Sequence, residues 1–337
     1  MDYTVAMQRA IALSEKGLGK TAPNPIVGAV IIDATGKIIA EGFHDRMRSE
    51  NHAEVVAIKA AGNQTQGATI VVTLEPCNHI GKTGSCTQAI IDSGISNVVF
   101  AVSDPNSIAS GGAAKLRAAG ITVVEGVLEE EAALSNRAWL MKIKKNRPFF
   151  TWKVAATLDG KVAATDGTSK WISNTTSRAD VQKLRRQSDA ILVGTNTVIA
   201  DNPHLIPRGD FAGYTQNPIR IICGEQELPS DSLVFDDAAR TEIVKSKNLD
   251  LLVEKLNELG VNQVLVEAGP TLASAMLDHC LMDELVIYQA PSLLGSGESF
   301  FKFGQESTIE NQLRMDHIST QVLAGDVKSI YRIRNGE

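Results

Sequence analysis

His52, Glu54, Cys77 and Cys86 are the residues of this chain whose types and spacing could do chemistry. One imidazole and two thiolates suit Zn²⁺, and three protein ligands leave the fourth tetrahedral position to water, as a catalytic rather than a structural site requires. Zinc lowers the pKa of that water toward about 7, so a nucleophile becomes available at neutral pH. Glu54 stands two residues from His52 and outside the ligand set, where a carboxylate can carry a proton from the water to a substrate nitrogen.

The order His-x-Glu and then Pro-Cys is that of zinc-dependent deaminases, here with a longer step between the two cysteines than C-x-x-C. His52 and Cys86 each fall near the start of an expected helix, and a helix N-terminus favours thiolate over thiol. Each residue also has a plainer reading. Asn51-x-x-Glu54 fits a capping box, in which the Glu side chain only bonds a backbone N–H. A structural zinc knot with His44 or His79 as fourth ligand would make this half a binding module. Isolated cysteines are usually small buried hydrophobes, which is the reading of Cys223 and Cys280. The conjunction of His52, Glu54, Pro76-Cys77 and Cys86 favours the zinc site. Gly81-Lys82-Thr83 resembles the end of a P-loop, but Pro76 stands where the first glycine is required.

The second half shows no motif of comparable force. Gly295-Ser296-Gly297 lacks a third glycine at Phe300, so an ordinary dinucleotide fingerprint is absent. Lys153, Ser169, Trp171, Arg185, Thr197, Asp201 and Arg208 stand out. Taken singly, Trp171 reads as core, Arg185 beside Arg186 as a solvated helix face, and Asp201-Asn202-Pro203 as a turn.

The elements that must position these residues alternate between strand and helix patterns. Strands are expected over 27–33, 37–43, 69–74, 97–102 and 121–125, and helices over 52–61, 86–93 and 112–119, the last two followed by Gly94 and Gly120. The first two strands form a hairpin and the later ones crossover units, giving a mixed sheet with helices on its faces. A basic run over 141–147 precedes Pro148 and a new aromatic strand, which sets the boundary between domains 1–146 and 147–337. Beyond it, strands are expected over 149–154, 190–194, 219–223, 263–267, 284–289 and 326–334, with helices over 251–259 and 270–280. Gly269-Pro270 is a helix-start signal after a strand, the place where α/β folds bind ligands. The fold class is therefore α/β in two domains.

The chain of 337 residues is 43% hydrophobic and 21% charged, a globular composition. Its net charge of −6 and the nearly balanced 15 basic and 14 acidic residues up to Arg147 argue against a nucleic-acid polymer as partner. No apolar run approaches the roughly 18–20 residues that span a bilayer, and the N-terminus lacks the pattern of an export signal, so a cytoplasmic protein with no membrane association is expected. A homo-oligomer is compatible with the sequence.

Pro23-Asn24-Pro25-x-Val27-Gly28, His52-Ala53-Glu54, Thr73-Leu74-Glu75-Pro76-Cys77-x-His79-x-Gly81-Lys82-Thr83 and Asp104-Pro105-Asn106 together resemble the bifunctional deaminase/reductase family of riboflavin biosynthesis. The resemblance implies a cytidine-deaminase-like first domain with His52, Cys77 and Cys86 on zinc and Glu54 as proton shuttle. Asn24, His44, His79, Lys82, Asp104 and Asn106 would line a pocket for a pyrimidine nucleotide. Gly84-Ser85 and Ser107 stand where the family often has proline. Trp152-Lys153-x-Ala155, Trp171-Ile172-Ser173, Val198-x-x-Asp201-x-Pro203 and Glu267-Ala268-Gly269-Pro270-Thr271-Leu272 resemble the family's second half, which is similar to dihydrofolate reductase in fold and uses NADPH to reduce a ribosyl to a ribityl group. By that match Ala155, Trp171, Thr197, Asp201, Gly269, Pro270, Thr271, Leu272, Ala273, Ser274 and Ala275 would contact NADPH. Ser169, Arg185, Leu205, Arg208 and Glu267 would hold the substrate, with Arg185 and Arg208 converging on its phosphate. Lys153 is the candidate for supplying or orienting a proton. The competing readings are a zinc deaminase of another small nucleotide whose second domain only binds a ligand, and a non-enzymatic zinc-stabilised nucleotide-binding protein.

Overall fold

In the computed structural model, residues 1–79, 84–212, 216–302 and 308–334 are described. They divide into two compact units, Met1–Asn146 and Arg147–Glu337.

The first unit contains strands β1 (Gly28–Ile32), β2 (Ile38–Phe43), β3 (Thr69–Leu74), β4 (Asn97–Val102) and β5 (Thr122–Glu125). They lie in the order β2-β1-β3-β4-β5, with β1 antiparallel to β2 and β3 and the later pairs parallel. This is the hairpin plus crossovers expected from the pattern of apolar runs. β1 and β3 are buried along their whole length, as central strands covered on both faces must be. Its helices are α1 (Thr4–Ser14), α2 (Ala53–Ala61), α3 (Cys86–Asp92), α4 (Gly112–Ala118), α5 (Glu129–Ser135) and α6 (Arg137–Lys145). Gly42 on β2 admits α2 closely: a Cβ built on it would lie 2.3 Å from the Ala53 carbonyl oxygen. The absence of a side chain there lets the first turn of α2, with its flanking His52, rest on the sheet backbone.

The second unit contains β6 (Phe149–Thr157), β7 (Lys161–Ala163), β8 (Ala190–Gly194), β9 (Ile219–Cys223), β10 (Thr241–Val244), β11 (Gln263–Val266), β12 (Glu284–Ala290), β13 (Glu298–Ser299), β14 (Met315–Leu323) and β15 (Asp326–Ile333). Eight of these strands form one sheet, β10-β9-β8-β11-β6-β12-β15-β14. β10 through β12 run parallel, and the β14–β15 hairpin closes the sheet antiparallel. The helices are α7 (Thr175–Gln187), α8 (Thr195–Asp201), α9 (Leu249–Glu258) and α10 (Pro270–Asp278). Alternation along β6 sends Phe150, Trp152, Val154 and Ala156 into the main core, whereas Ala155 joins Val286 and Tyr288 against Val181 and Leu184 of α7.

Two single-residue readings change. α10 ends at Asp278, and Cys280 lies beyond it, exposed and at φ 52, rather than in the core; Cys223 is buried as expected. Trp171 is 73% exposed at φ 70, so it is not core. Among the described residues, no helix is long and apolar enough to cross a membrane.

Candidate active sites

Three element ends converge in the first unit. His52 is the N-cap residue of α2, Cys77 follows the end of β3, and Cys86 opens α3. The family's frequent proline before the second cysteine is replaced by Ser85, whose Oγ accepts the Gln88 N–H at 3.3 Å and caps α3. A serine cap thus fixes the start of the helix that carries Cys86, which is worth about 1 kcal/mol in comparable helices.

His52 Nδ1 lies 3.2 Å from Cys86 Sγ and 3.6 Å from Cys77 Sγ, and the three donor atoms are all within 4.8 Å of one another. Tetrahedral bonds of the usual lengths put nitrogen and sulfur ligands about 3.6 Å apart, so this donor set fits zinc. The two thiols hold one proton unequally. The hydrogen bond with Cys86 and then that with His52 pull Cys77 down to about 4 against the opposing effect of burial, while Cys86 is pushed up by its bond to Cys77 and by burial.

Glu54 is buried, and its Oε2 has no hydrogen-bond partner among the described residues. Burial raises its pKa, with the nearby His52 opposing. The capping-box reading fails, because α2 has no side-chain cap and the Asn51 N–H donates to Ser49 Oγ at 3.1 Å. A buried carboxylate oxygen without a partner is costly, which argues that it is kept for a reacting group. His44 is unsuited to a fourth ligand position. Its Nδ1 is 3.0 Å from the Asn51 carbonyl and its Nε2 3.3 Å from Asn24 Nδ2. Burial pushes its pKa down, so it is a neutral imidazole with Nδ1 donating and Nε2 accepting. The ring stands edge-on to His52, with centroids 5.3 Å apart.

Around this cluster lie Asp104, His79 and Asn106. Asp104 is buried, its pKa raised by that burial, and its Oδ1 accepts the Asn106 N–H at 2.8 Å. Asn106 Oδ1 is in turn engaged by the Ile108 N–H at 3.1 Å. His79 Nδ1 is buried without a hydrogen-bond partner among the described residues. Lys82 lies outside the described residues.

In the second unit, Arg185 of α7 and Glu267 after β11 form a buried bidentate pair, with Nε–Oε1 at 2.6 Å and Nη2–Oε2 at 2.9 Å. Arg185 Nη1 donates to the Ile206 carbonyl at 3.2 Å. The solvated-face reading of Arg185 is overturned, and so is that of its buried neighbour Arg186. The pair has a further consequence for the expected phosphate contact: Arg185 is already neutralised by Glu267, while Arg208 remains exposed. Glu267 feels the charges of Arg185, Lys153 and Arg208, which hold its carboxyl at about 2 although burial opposes them. Desolvation lowers the Lys153 pKa, with Glu267 opposing.

Other expected residues lie around the carboxyl ends of the parallel strands. Gly269 caps α10 and Pro270 opens it. A Cβ built at Gly269 would meet no heavy atom of the described residues within 4 Å, so among them the helix start is uncovered. First-turn N–H groups have no partner within a helix, and this opening suits a cofactor phosphate. Thr271 is exposed and Leu272 and Ala275 half-buried, but Ala273 packs fully into the core and Ser274 Oγ accepts the Lys302 N–H at 2.8 Å. Thr197 is half-buried and Asp201 exposed, both on α8, while Ser169 is half-buried. Leu205, at φ 51, and Trp171, at φ 70, hold backbone conformations that side chains disfavour, a form of strain that tends to gather at functional sites. The Trp171 ring lies 4.3 Å from the Arg178 guanidinium carbon.

Residues 2–102 match the cytidine and deoxycytidylate deaminase zinc-binding region, and residues 148–329 match the RibD C-terminal domain. The riboflavin biosynthesis protein RibD of Mycobacterium tuberculosis is 42% identical over 324 residues, covering 96% of this chain and 95% of that protein. The chain belongs to the RibD family. RibD of Escherichia coli is 39% identical, covering 86% of this chain and 88% of its own. The crystal structure of a diaminohydroxyphosphoribosylaminopyrimidine deaminase/5-amino-6-(5-phosphoribosylamino)uracil reductase from Thermotoga maritima superposes with a TM-score of 0.90 at 36% identity, covering 98% of each chain. Acinetobacter baumannii RibD superposes with a TM-score of 0.88 at 34% identity.

As a RibD protein, the chain is a bifunctional zinc-dependent deaminase and NADPH-dependent reductase of riboflavin biosynthesis. Its fold is a cytidine-deaminase-like domain followed by a RibD-type reductase domain, as the motif order implied. Two RibD residues that sequence reasoning left without a role stand out in the structure. Glu75 bonds two segments beside the zinc ligands, and its only signal in the sequence was an acidic residue between an apolar strand and Pro-Cys. Tyr288 donates to Asp180 Oδ2 at 2.6 Å behind Ala155, a contact 108 positions apart that no local pattern announces.

Proposed function

We propose that residues 1–146 deaminate 2,5-diamino-6-ribosylamino-4(3H)-pyrimidinone 5′-phosphate and that residues 147–337 reduce the ribosyl group of the product to ribityl. The observation that carries the first step is the buried, unpartnered Glu54 Oε2 beside a three-donor cluster. His52, Cys77 and Cys86 would hold the zinc, which when bound supplies a water acidic enough to ionise near neutral pH. Glu54 would take one proton of that water and pass it to the departing 2-amino nitrogen, and the water's other proton would end on the adjacent ring nitrogen, so that ammonia leaves as the ring carbon becomes a carbonyl. Neutral His44 orients Asn24, and Asp104, His79 and Asn106 line the pyrimidine, while the family resemblance alone assigns Lys82 to its phosphate.

In the reductase, bound NADPH supplies the hydride, and the chain's work is to place the sugar C1′ and provide a proton. The α10 opening and Trp171, Thr197, Asp201 and Ala155 would hold the cofactor. Arg208 meets the substrate phosphate, Ser169 and Leu205 shape the sugar site, and the Arg185–Glu267 pair orients it. Lys153, which feels the charges of both Glu267 and Arg185 and is depressed by desolvation, keeps a proton that can be released more readily than from an ordinary lysine. A reducing compartment suits a site whose two thiolates must remain unoxidised, and the cytoplasm is the proposed location.

Glu54→Gln tests the reading. The variant is expected to keep one zinc and to reduce the deaminated product with NADPH, yet to release no ammonia from the diaminopyrimidinone phosphate. Retained ammonia release would end the assignment of Glu54 as proton shuttle.

A further inference from the structure

Glu75 sits at the end of β3, directly before Pro76 and Cys77, and is buried. Its backbone N–H donates to the Val102 carbonyl at 2.9 Å, which extends the β3–β4 pairing by one step. Its carboxylate bridges two other segments. Oε2 accepts the Asp104 N–H at 3.1 Å and Oε1 accepts the Ala113 N–H at 2.9 Å, both bonds buried. The Asp104 segment is then locked by its own turn onto Asn106, whose carbonyl accepts the Ala109 N–H at 2.9 Å. The Ala109 carbonyl accepts the Asn78 N–H at 3.0 Å, one residue past Cys77. The ring of contacts Glu75–Asp104–Asn106–Ala109–Asn78 therefore closes around Cys77.

We propose that Glu75 is a positioning residue of the deaminase, which sets the distance between the zinc ligand Cys77 and the pocket carboxylate Asp104. This rests on the reading that Asp104 lines the substrate pocket. A carboxylate suits the task because both of its oxygens accept and neither donates, so two backbone N–H groups can be satisfied at once. Glutamine in its place turns one acceptor into a donor facing an N–H, and a buried N–H left without a partner is expensive. The Glu75 carboxylate holds the Asp104 end of this segment and the Ala109 carbonyl holds its other end to Asn78, whereas Cys77 is tied separately, its carbonyl accepting the Thr87 N–H at 3.2 Å. Loss of the bridge should therefore displace the pocket edge and leave the zinc in place.

The experiment compares Glu75→Gln, Asp104→Asn and the double variant in the full chain, measuring deaminase KM and kcat, zinc content and reductase turnover. Glu75→Gln is expected to raise the deaminase KM tenfold or more with a smaller fall in kcat, to keep one zinc and to leave the reductase unchanged. The double variant should be no worse than Asp104→Asn alone, because Glu75 acts through the Asp104 segment. Multiplicative effects, or a Glu75→Gln KM like that of the parent while Asp104→Asn is impaired, would overturn the proposal. An Asp104→Asn variant with parental KM would instead remove the pocket reading beneath it. Should Glu75→Gln not accumulate as folded protein, Glu75→Asp retains both acceptor oxygens one methylene shorter. It should show the same KM-selective loss in milder form, and loss of zinc in place of a KM change refutes the role.

Discussion

A single methyl group placed at Gly112 tests how closely the zinc site depends on the packing behind it. Gly112 is the first residue of α4, and a Cβ built there would lie 1.9 Å from the Pro76 carbonyl oxygen and 3.2 Å from Thr87 Cγ2. Cβ contacts are essentially never below 3.0 Å, so Gly112→Ala must part the two backbones by at least 1.1 Å, the difference between that limit and 1.9 Å. α4 cannot yield without cost, since the Ala113 N–H is bound to Glu75. The Pro76 peptide, which leads into Cys77, must take part of the shift. Ligand distances tolerate about 0.2 Å, and overpacking of this kind costs about 1–3 kcal/mol. If that cost falls on the liganded geometry, zinc affinity drops by about tenfold to a hundredfold, at 1.4 kcal/mol per decade. Competition with a chromophoric chelator measures the affinity, and reductase turnover of the same chain reports whether the other unit is intact. Gly84→Ala is the control, because a Cβ there meets no heavy atom of the described residues within 4 Å although it lies two residues from Cys86. Parental zinc affinity and deaminase activity in Gly112→Ala would refute the argument that α4 holds Pro76 and Cys77 in place.

Two further outcomes concern the second unit. Glu267 has a folded pKa of about 2 against an ordinary 4.5, so its contribution to stability is fully present above about 4.5 and is lost as pH falls through about 2. The shift corresponds to about 3 kcal/mol, and Glu267→Gln should flatten the acid limb of stability measured by denaturant titration between those values; an unchanged limb would show that the pair with Arg185 is not its source. For Lys153, whose pKa is depressed from 10.5, a requirement for its proton makes reductase kcat fall as pH rises through that lowered value. Lys153→Arg, which stays protonated, should move the alkaline limb upward if turnover survives, while Lys153→Met should abolish turnover and leave NADPH binding detectable by fluorescence.

The zinc cluster was legible because its signal is local and chemical. His52 and Cys86 stand at helix starts, Cys77 follows Pro76 at a strand end, and these positions come from apolar runs and breakers that act over a few residues. The same runs placed β3, β4, β8 and β9 at the expected bounds. What stayed hidden were the residues whose environment is made by distant chain. Arg185 looks like a solvated helix residue until Glu267, 82 positions away, is brought against it. Trp171 looks like core until its backbone, at φ 70, turns it outward over Arg178. Glu75 acquires its partners only when β4 and α4 close around β3, joining residues 29 and 38 positions apart. Periodicity and spacing determined which segments form elements and which chemistry they could carry, because propensity and ligand choice are properties of short stretches. Burial, charge pairing and the order of eight strands were decided by tertiary contact, because each depends on which apolar faces meet, and no single stretch contains both sides of that contact.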